Sequence, residues 1–189
     1  MRYLLGGARV SAAMPGEGPF LWLSKTAPPS GFRDVPPGGM CLSAFLFVCH
    51  GDGILLGKYA EDPRWEALAG LDAERVKVHG RGWTLPARQL KYGEDPRVAA
   101  RSIGEEILQI PGMAYGEPRV ETDLYEPKRF PGALHYDVWF LVDATPPKGH
   151  TLEVPPWYAE LAWHDPRAVP PEAFGRSHED VVARWLGRR

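Results

Sequence analysis

Two adjacent glutamates, Glu105 and Glu106, are the side chains of this sequence whose type and spacing most suggest chemistry. On a helix, at about 100° per residue, Ser102 projects between them from three and four residues earlier, so the three side chains share one exposed patch. Neighbouring carboxylates repel each other unless a cation lies between them, and their oxygens suit a hard divalent ion. The pattern therefore suits a hard divalent ion such as Mg²⁺, with Glu105 and Glu106 as its ligands.

The same pair of glutamates has a simpler interpretation. Adjacent glutamates on a helix are usually a solvated face, and Arg101 with Glu105 makes an ordinary i,i+4 ion pair. The helix alone leaves both interpretations open, so the segments around it have to be considered.

The helix that must carry these residues has clear limits in the sequence. Asp95 suits the N-cap, Pro96 suits the first helical position, and Pro111-Gly112 ends the run. The apolar positions gather on the side away from the glutamates and would face a sheet: Ala99, Ala100, Ile103, Ile107 and Ile110.

Apolar and alternating runs predict the sheet on which this helix packs. A hairpin spans 42–59, with Asp52-Gly53 supplying the positive-φ positions of its turn. Alternating or apolar stretches follow at "RVETDLYE", "LHYDVWFLVDA" and "YAELAWHD", and a last helix begins near Ser177. The order of elements predicts an α+β fold, a mixed β-sheet with helices on both faces in an α/β/α sandwich.

The chain divides into two parts by composition. Residues 1–39 are rich in Pro and Gly and form an N-terminal arm, in which "FLWLS" reads as a strand. Residues 40–189 form one domain of ordinary globular composition.

The segment before and within the helix resembles the signature of the Nudix hydrolases. That pattern has a Trp-x-Leu-Pro-Gly-Gly lead-in, a Gly-Glu, and a helix with an arginine, an apolar residue and paired glutamates. The matching positions here are Trp83, Leu85, Pro86, Gly93, Glu94, Arg101, Ile103, Glu105 and Glu106. The resemblance, extended by the order of strands and helices, covers the chain from about Met40 to its end.

Several positions depart from the family pattern. Ala87-Arg88 replace the two glycines, and Lys91 stands where a further glutamate is common. Ser102 replaces the glutamate after the arginine, and Leu108 replaces the closing glycine. Six residues rather than seven separate Glu94 from Arg101. These departures put the strength of the activity in question.

The resemblance implies a hydrolase that cleaves the pyrophosphate linkage of a nucleoside-diphosphate derivative with Mg²⁺ or Mn²⁺, with activity weakened by the missing glutamate. It assigns catalytic roles to Glu94, Arg101, Glu105 and Glu106. Glu105 and Glu106 would hold the metal, and Arg101 would brace Glu94 or Glu105. A further glutamate from a later loop is left open among Glu121, Glu126, Glu153 and Glu160.

Two other functions stay open. In the first, a catalytically inactive Nudix-fold module binds nucleotides or partners, and Arg88 and Lys91 hold phosphate in place of the metal. In the second, an interaction subunit presents Trp22, Trp65 and Trp157 to another protein. A homodimer is compatible with either.

Bulk composition excludes some partners. The net charge of −2 and the pI near 6.3 give no basic field for nucleic acid, and no apolar segment is long enough to span a membrane. Cys41 and Cys49 would lie roughly 26 Å apart on one strand, at about 3.3 Å per residue, too far for a disulfide. Free thiols predict a cytoplasmic protein. The family resemblance implies that its partner is a small nucleotide-like molecule.

Overall fold

The computed structural model describes residues 39–91, 93–126, 132 and 134–187, together with the backbone of 21–22. Most of the predicted N-terminal arm therefore lies outside the described residues. Within the predicted strand "FLWLS", Leu21–Trp22 pairs with a strand of the domain. The division of the chain into arm and domain stays a prediction.

One mixed sheet of eight strands forms the centre of the described structure. Its strands are β1 (Leu21–Trp22), β2 (Met40–His50), β3 (Gly53–Tyr59), β4 (Ala87–Gln89), β5 (Ala114–Tyr115), β6 (Arg119–Tyr125), β7 (His135–Thr145) and β8 (Tyr158–His164). β2 pairs in parallel with β7 along one edge, and with β1, β4 and β3, all antiparallel, along the other. β8 continues the sheet from β3, and β5 and β6 both pair with β7.

The hairpin between β2 and β3 differs in detail from the prediction. The register pairs His50 with Gly53, so Gly51 and Asp52 form the loop and Gly53 is the first residue of β3. Gly51 has the positive φ, at 60°, and Gly53 does not. The predicted turn at Asp52-Gly53 was therefore one residue too late. The sequence has a glycine at both 51 and 53, and only the register of the two strands determines which of them lies in the turn.

Four α-helices accompany the sheet within the described ranges: α1 (Arg64–Ala69), α2 (Ala73–His79), α3 (Pro96–Ser102) and α4 (His178–Leu186). Two of these helices, α1 and α2, lie in the segment between β3 and β4. Ser177 precedes α4 as predicted, but it is left-handed, with φ 56°, and its side chain makes no capping hydrogen bond.

The helices lie on both faces of the sheet and bury two separate cores. On one face α1, α2 and α3 cover the even positions of β2, such as Ala44, Leu46 and Val48. On the other, Val181, Val182 and Trp185 of α4 cover Phe45 and Phe47. The rings of Phe47 and Trp185 stack with centroids 4.6 Å apart. The predicted α/β/α sandwich is confirmed.

The structure bears on three expectations, which concern the tryptophans, the two cysteines and membrane-spanning segments. Trp65 and Trp157 are 1% and 6% exposed, so they belong to the core and cannot form the predicted partner surface. Cys41 and Cys49 are both free thiols, as predicted. Among the described helices, none has the length and apolar content that a bilayer crossing requires.

Candidate functional site

The helix that carries the glutamates starts as its sequence indicates. The Asp95 carboxylate accepts a hydrogen bond of 2.7 Å from the backbone N–H of Arg97, and Pro96 occupies the first turn. Ala99 and Ala100 are buried against the sheet, as expected from their spacing. This part of the predicted helix is regular.

After Ser102 the helix widens into a π turn, Ile103–Ile107. The backbone N–H of Leu108 donates to the Ile103 carbonyl, 2.9 Å away and five residues back. Ile103 and Ile107 stay fully buried, while Glu105 and Glu106 are exposed between them. Wide turns of this kind are frequent at functional sites. The two glutamates thus stand on an irregular turn rather than on the regular helix assumed from the sequence.

Gly104 lets Tyr115 of β5 pack against this turn. A Cβ added at Gly104 would lie 2.2 Å from the Tyr115 hydroxyl oxygen and 2.3 Å from Cε of Met113. Burial raises the pKa of Tyr115, nearby Glu105 raises it further, and Arg101 works in the opposite direction. Glu105 and Arg101 therefore both act on the same hydroxyl group.

Two buried tryptophans fix the end of the π turn. The indole N–H of Trp157 donates to the Ile107 carbonyl at 2.8 Å, and the indole N–H of Trp65 donates to the Trp157 carbonyl at 2.9 Å. The last carbonyls of a helix have no partner within the helix, so such donors satisfy groups that would otherwise be lost in the core. The turn that carries Glu105 and Glu106 is held from α1 and from the loop before β8.

The loop before α3 contains a buried ion pair. Both terminal nitrogens of the Arg88 guanidinium donate to the Glu94 carboxylate, Nη1 at 3.0 Å to Oε2 and Nη2 to Oε1. Glu94 also accepts from the backbone N–H of Lys91 at 2.8 Å. The side chains of Arg88 and Glu94 are 5% and 10% exposed. Arg88 therefore braces Glu94, where the sequence had assigned that task to Arg101.

The predicted site residues are not gathered around one point. Arg101 is exposed and makes no ion pair with Glu105 or Glu94 among the described residues, and Lys91 is also exposed. The acidic side chains of the loop and helix do not form a cluster. Within the described ranges, the one group of three possible metal ligands closer than 4.8 Å to one another lies in a different part of the molecule. Glu105 and Glu106 face solvent.

The later glutamates left open by the sequence divide into bound and exposed groups. Glu160 pairs with Lys58 at 2.9 Å, and Glu126 accepts from the backbone N–H of Gly132 at 2.7 Å. Glu121 is buried and Glu153 is exposed. These contacts single out none of them as a partner of the π turn.

A cluster that the sequence did not reveal lies on the opposite face of the sheet. Cys41 of β2 and Asp137 of β7 are partners in the parallel ladder, and His135 lies two residues before Asp137. His135 Nε2 is 3.0 Å from Asp137 Oδ1 and 3.5 Å from Cys41 Sγ, and the Cys41 thiol donates to Asp137. All three residues are buried.

The charges inside this cluster are set by burial and hydrogen bonding. Burial raises the pKa of the Cys41 thiol well above its ordinary range, and the neighbouring Asp137 carboxylate raises it further. Burial alone would raise the pKa of Asp137, but hydrogen bonds from His135, Cys41 and Trp139 outweigh it and leave that pKa lowered. Asp137 is thus the anion of the cluster.

A cleft of about 510 Å³ lies between the end of α2, the Trp83 loop and the start of α4. Lys58, Arg81 and Arg176 line it together with Glu172 and Glu179. Neither glutamate of the π turn lines this cleft, so it belongs to a different part of the surface.

Comparison with solved structures identifies the architecture. The MutT protein from Methanosarcina mazei Go1 superposes with a TM-score of 0.53 at 14% identity, covering 82% of this chain and 96% of that one. The MutT Nudix hydrolase from Burkholderia pseudomallei gives 0.49 at 17% identity over 76% and 96%. An Ap4A hydrolase from C. elegans gives 0.48 at 19% identity over 78% and 96%. The described chain has a Nudix fold.

The likeness is one of architecture. No protein-family model matches the sequence, and no curated protein matches it either. Because one fold hosts many functions, the activity of this Nudix-fold chain has to be argued from its own residues.

The donor set on the π turn fits the divalent ion that a Nudix fold implies. Glu105 and Glu106 are exposed, and neither makes an ion pair or hydrogen bond with the other described residues. Mg²⁺ is commonly held by one or two carboxylates together with substrate phosphates and water, so two free carboxylates are sufficient. Glu94 is engaged by Arg88 and does not add a third.

Proposed function

We propose that this chain is a Nudix-type hydrolase that cleaves the pyrophosphate linkage of a nucleoside-diphosphate derivative, with activity weakened by its incomplete acidic set. The observation that carries the proposal is the pair Glu105 and Glu106, exposed and without an ion pair to another described residue, on a π turn whose end at Ile107 is fixed in the core. Two adjacent carboxylates repel each other, so a bound cation between them is favoured.

The roles of the residues follow from their contacts. Glu105 and Glu106 would hold Mg²⁺ or Mn²⁺; the bound ion neutralises phosphate charge and makes water a better nucleophile. Arg101, which is exposed four residues before Glu105, would meet a negatively charged substrate. Glu94 acts as a positioning residue, because its carboxylate ties Arg88 and the Lys91 backbone to the start of α3.

The weakness of the activity has two structural reasons. Ser102, half-buried next to the π turn, offers a neutral hydroxyl where a third carboxylate would strengthen the hold on the ion. The Arg88 guanidinium neutralises Glu94, so that carboxylate contributes little field to a nearby cation. Both effects lower the affinity for the metal in the absence of substrate.

A second function, a nucleotide-binding module without catalysis, is favoured by the same ion pair. If Glu94 is required for chemistry, its engagement by Arg88 removes the activity and leaves the Nudix-fold surface. In that case Lys91, which is exposed, is the cation available for phosphate, since Arg88 is already paired. Binding without metal distinguishes this function from the first.

The remaining predictions about this protein stand as part of the proposal. Its partner is a small nucleotide-like molecule rather than nucleic acid, and its compartment is the cytoplasm. A homodimer stays a prediction that light scattering can test.

The test is turnover of a panel of ADP-ribose, dinucleoside polyphosphates, NADH and modified nucleoside triphosphates, with Mg²⁺ and with Mn²⁺. We expect slow, metal-dependent release of a nucleoside monophosphate or diphosphate, lost when Glu105→Gln and Glu106→Gln are combined. Glu66→Gln, an exposed glutamate of α1, is the matched control and should leave turnover unchanged. Turnover that survives the double substitution rules out the proposal.

Ser102→Glu tests whether the rest of the site is intact. We expect a gain on the order of tenfold, equivalent to about 1.4 kcal/mol of barrier, while Ser102→Gln of the same length gives none. If both variants are inactive and calorimetry in EDTA shows tight nucleotide binding, the chain is the binding module instead.

A further inference from the structure

The cluster of Cys41, His135 and Asp137 has no part in the proposed hydrolysis. β2 and β7 present these side chains on the α4 face of the sheet, whereas the π turn with Glu105 and Glu106 packs on the other face. The cluster must therefore be explained separately.

The three ligand atoms lie within 4.8 Å of one another, close to the spacing of a metal site. In a tetrahedral zinc site, with bonds of 2.0–2.3 Å, ligand atoms lie about 3.3–3.6 Å apart. Here Nε2 of His135 is 3.5 Å from Sγ of Cys41 and 3.0 Å from Oδ1 of Asp137. To hold the ion, the Cys41–Asp137 contact has to open, and the His135–Asp137 contact has to lengthen by a few tenths of an ångström.

The chemical types of the three ligands favour zinc over Mg²⁺ or Ca²⁺. One thiolate sulfur, one imidazole nitrogen and one carboxylate oxygen are typical ligands of zinc, whereas Mg²⁺ and Ca²⁺ take oxygen ligands. A thiolate and a carboxylate together carry two negative charges, which balance a divalent cation in a buried place. The ion would replace the thiol proton that now points at Asp137.

Outer groups are in place to orient the ligands. The Tyr125 hydroxyl and the Trp139 indole lie close enough to the Asp137 carboxylate to interact with its charge. The Tyr125 ring meets the His135 ring edge-on, with centroids 5.6 Å apart. Metal ligands are commonly oriented by such second contacts.

We propose that Cys41, His135 and Asp137 form a zinc-binding site, with a fourth position for water or another donor, that ties the start of β2 to the start of β7. Because the ligands come from two parallel strands whose pairing organises the sheet, a bound zinc ion would stabilise the fold. The site works independently of Mg²⁺ at the π turn and of any hydrolytic activity.

The test uses the full chain without a histidine tag, stripped with chelator and then dialysed against zinc. We expect one zinc ion per chain, a rise in melting temperature on adding zinc, and, with Co²⁺ in its place, a sulfur-to-cobalt charge-transfer absorption. Cys41→Ser should remove the absorption and the thermal shift. Cys49→Ser, which changes the other free cysteine, should keep both.

A graded variant supports the result if Cys41→Ser does not fold. Tyr125→Phe keeps all three ligands and removes the hydroxyl next to the Asp137 carboxylate, so we expect zinc affinity to fall by about tenfold. The proposal is overturned if the unmodified chain shows no cobalt charge-transfer band and no zinc-dependent thermal shift. It is equally overturned if Cys49→Ser abolishes the band while Cys41→Ser retains it.

Discussion

The indole N–H of Trp157 donates to the carbonyl of Ile107 at 2.8 Å, joining the loop before β8 to the end of the π turn. The carbonyl belongs to a fully buried residue at a helix end, where no backbone partner is available. The position of Glu105 and Glu106 therefore depends on a side chain fifty residues away.

Trp157→Phe removes this donor and keeps an aromatic ring. We expect unfolding to become easier by about 1–3 kcal/mol in urea titrations, because the Ile107 carbonyl is left buried without a partner. If the proposed hydrolysis is correct, more Mg²⁺ is needed for half-maximal turnover. Trp163→Phe, a partly buried indole on β8, is the control and should shift neither quantity. Equal effects of the two variants would contradict the anchoring role.

The Arg88–Glu94 pair gives a second prediction about stability. Arg88→Met leaves the Glu94 carboxylate buried with the Lys91 N–H as its remaining donor, and we expect a loss of about 3–5 kcal/mol. Adding Glu94→Gln removes the unpaired charge and should recover most of that loss. Urea titrations of the two single variants and the double variant measure the coupling between the residues.

An exposed ion pair supplies the control for that measurement. Arg97 and Glu117 are 2.7 Å apart, with side chains 58% and 80% exposed. Because water and salt screen such pairs, Glu117→Gln should leave the unfolding midpoint unchanged. A loss from Glu117→Gln as large as that from Arg88→Met would show that burial is not the cause.

Gly104 and Tyr115 should show coupling through a steric contact. Gly104→Ala brings a methyl group against the Tyr115 hydroxyl and Met113, and we expect a loss of about 1–3 kcal/mol. The Tyr115 hydroxyl is buried and without a hydrogen-bond partner in the described structure, so Tyr115→Phe alone should be neutral or slightly stabilising. In thermal unfolding, Tyr115→Phe should recover part of the loss caused by Gly104→Ala. Strictly additive effects would contradict the contact.

The buried His178 should make the free energy of unfolding depend on pH below neutrality. Its Nδ1 accepts a hydrogen bond of 2.8 Å from the backbone N–H of Leu85, which requires an unprotonated Nδ1. Burial lowers the pKa of His178, and the nearby Arg176 and His79 lower it further. The unfolded chain therefore takes up this proton first, at pH values below about 6.5, and the contribution of neutral His178 is lost progressively as the pH falls from that value toward the lowered pKa of the folded state.

We expect the free energy of unfolding to fall less steeply with decreasing pH in His178→Asn. The Asn side-chain oxygen can accept the hydrogen bond from the Leu85 N–H, and it does not titrate. The measurement is the free energy of unfolding between neutral and mildly acidic pH. His50→Asn, an exposed histidine in the first hairpin, should leave the slope as it is. A slope unchanged by His178→Asn would mean that other groups dominate the acid response.

The regular elements could be predicted from the sequence because their periodicity is local. Alternation along β6 and β7, the apolar side of α3, and the Asp95-Pro96 start all depend on residues a few positions apart. The order of these elements was then sufficient for the α/β/α architecture.

The parts that were missed depend on contacts distant in sequence or on backbone geometry without a sequence signature. No residue pattern announces the π turn at 103–107, which displaced Glu105 from the expected pair with Arg101. Arg88 could be noticed as a cation, but its choice of Glu94 depends on how the loop folds back. His135 and Asp137 share a strand face by alternation, yet Cys41 joins them only through the parallel ladder.

That ladder between β2 and β7 also has a consequence for how the molecule is made. Because 84 residues separate His50, at the end of β2, from His135, at the start of β7, the two strands cannot pair until β7 has been synthesised, and distant pairings of this kind slow folding. Until then, the backbone N–H and C=O groups along one edge of the apolar strand β2 have no partner strand, and such an edge favours aggregation. Expression trouble in truncated versions of this chain should therefore begin wherever the cut removes β7.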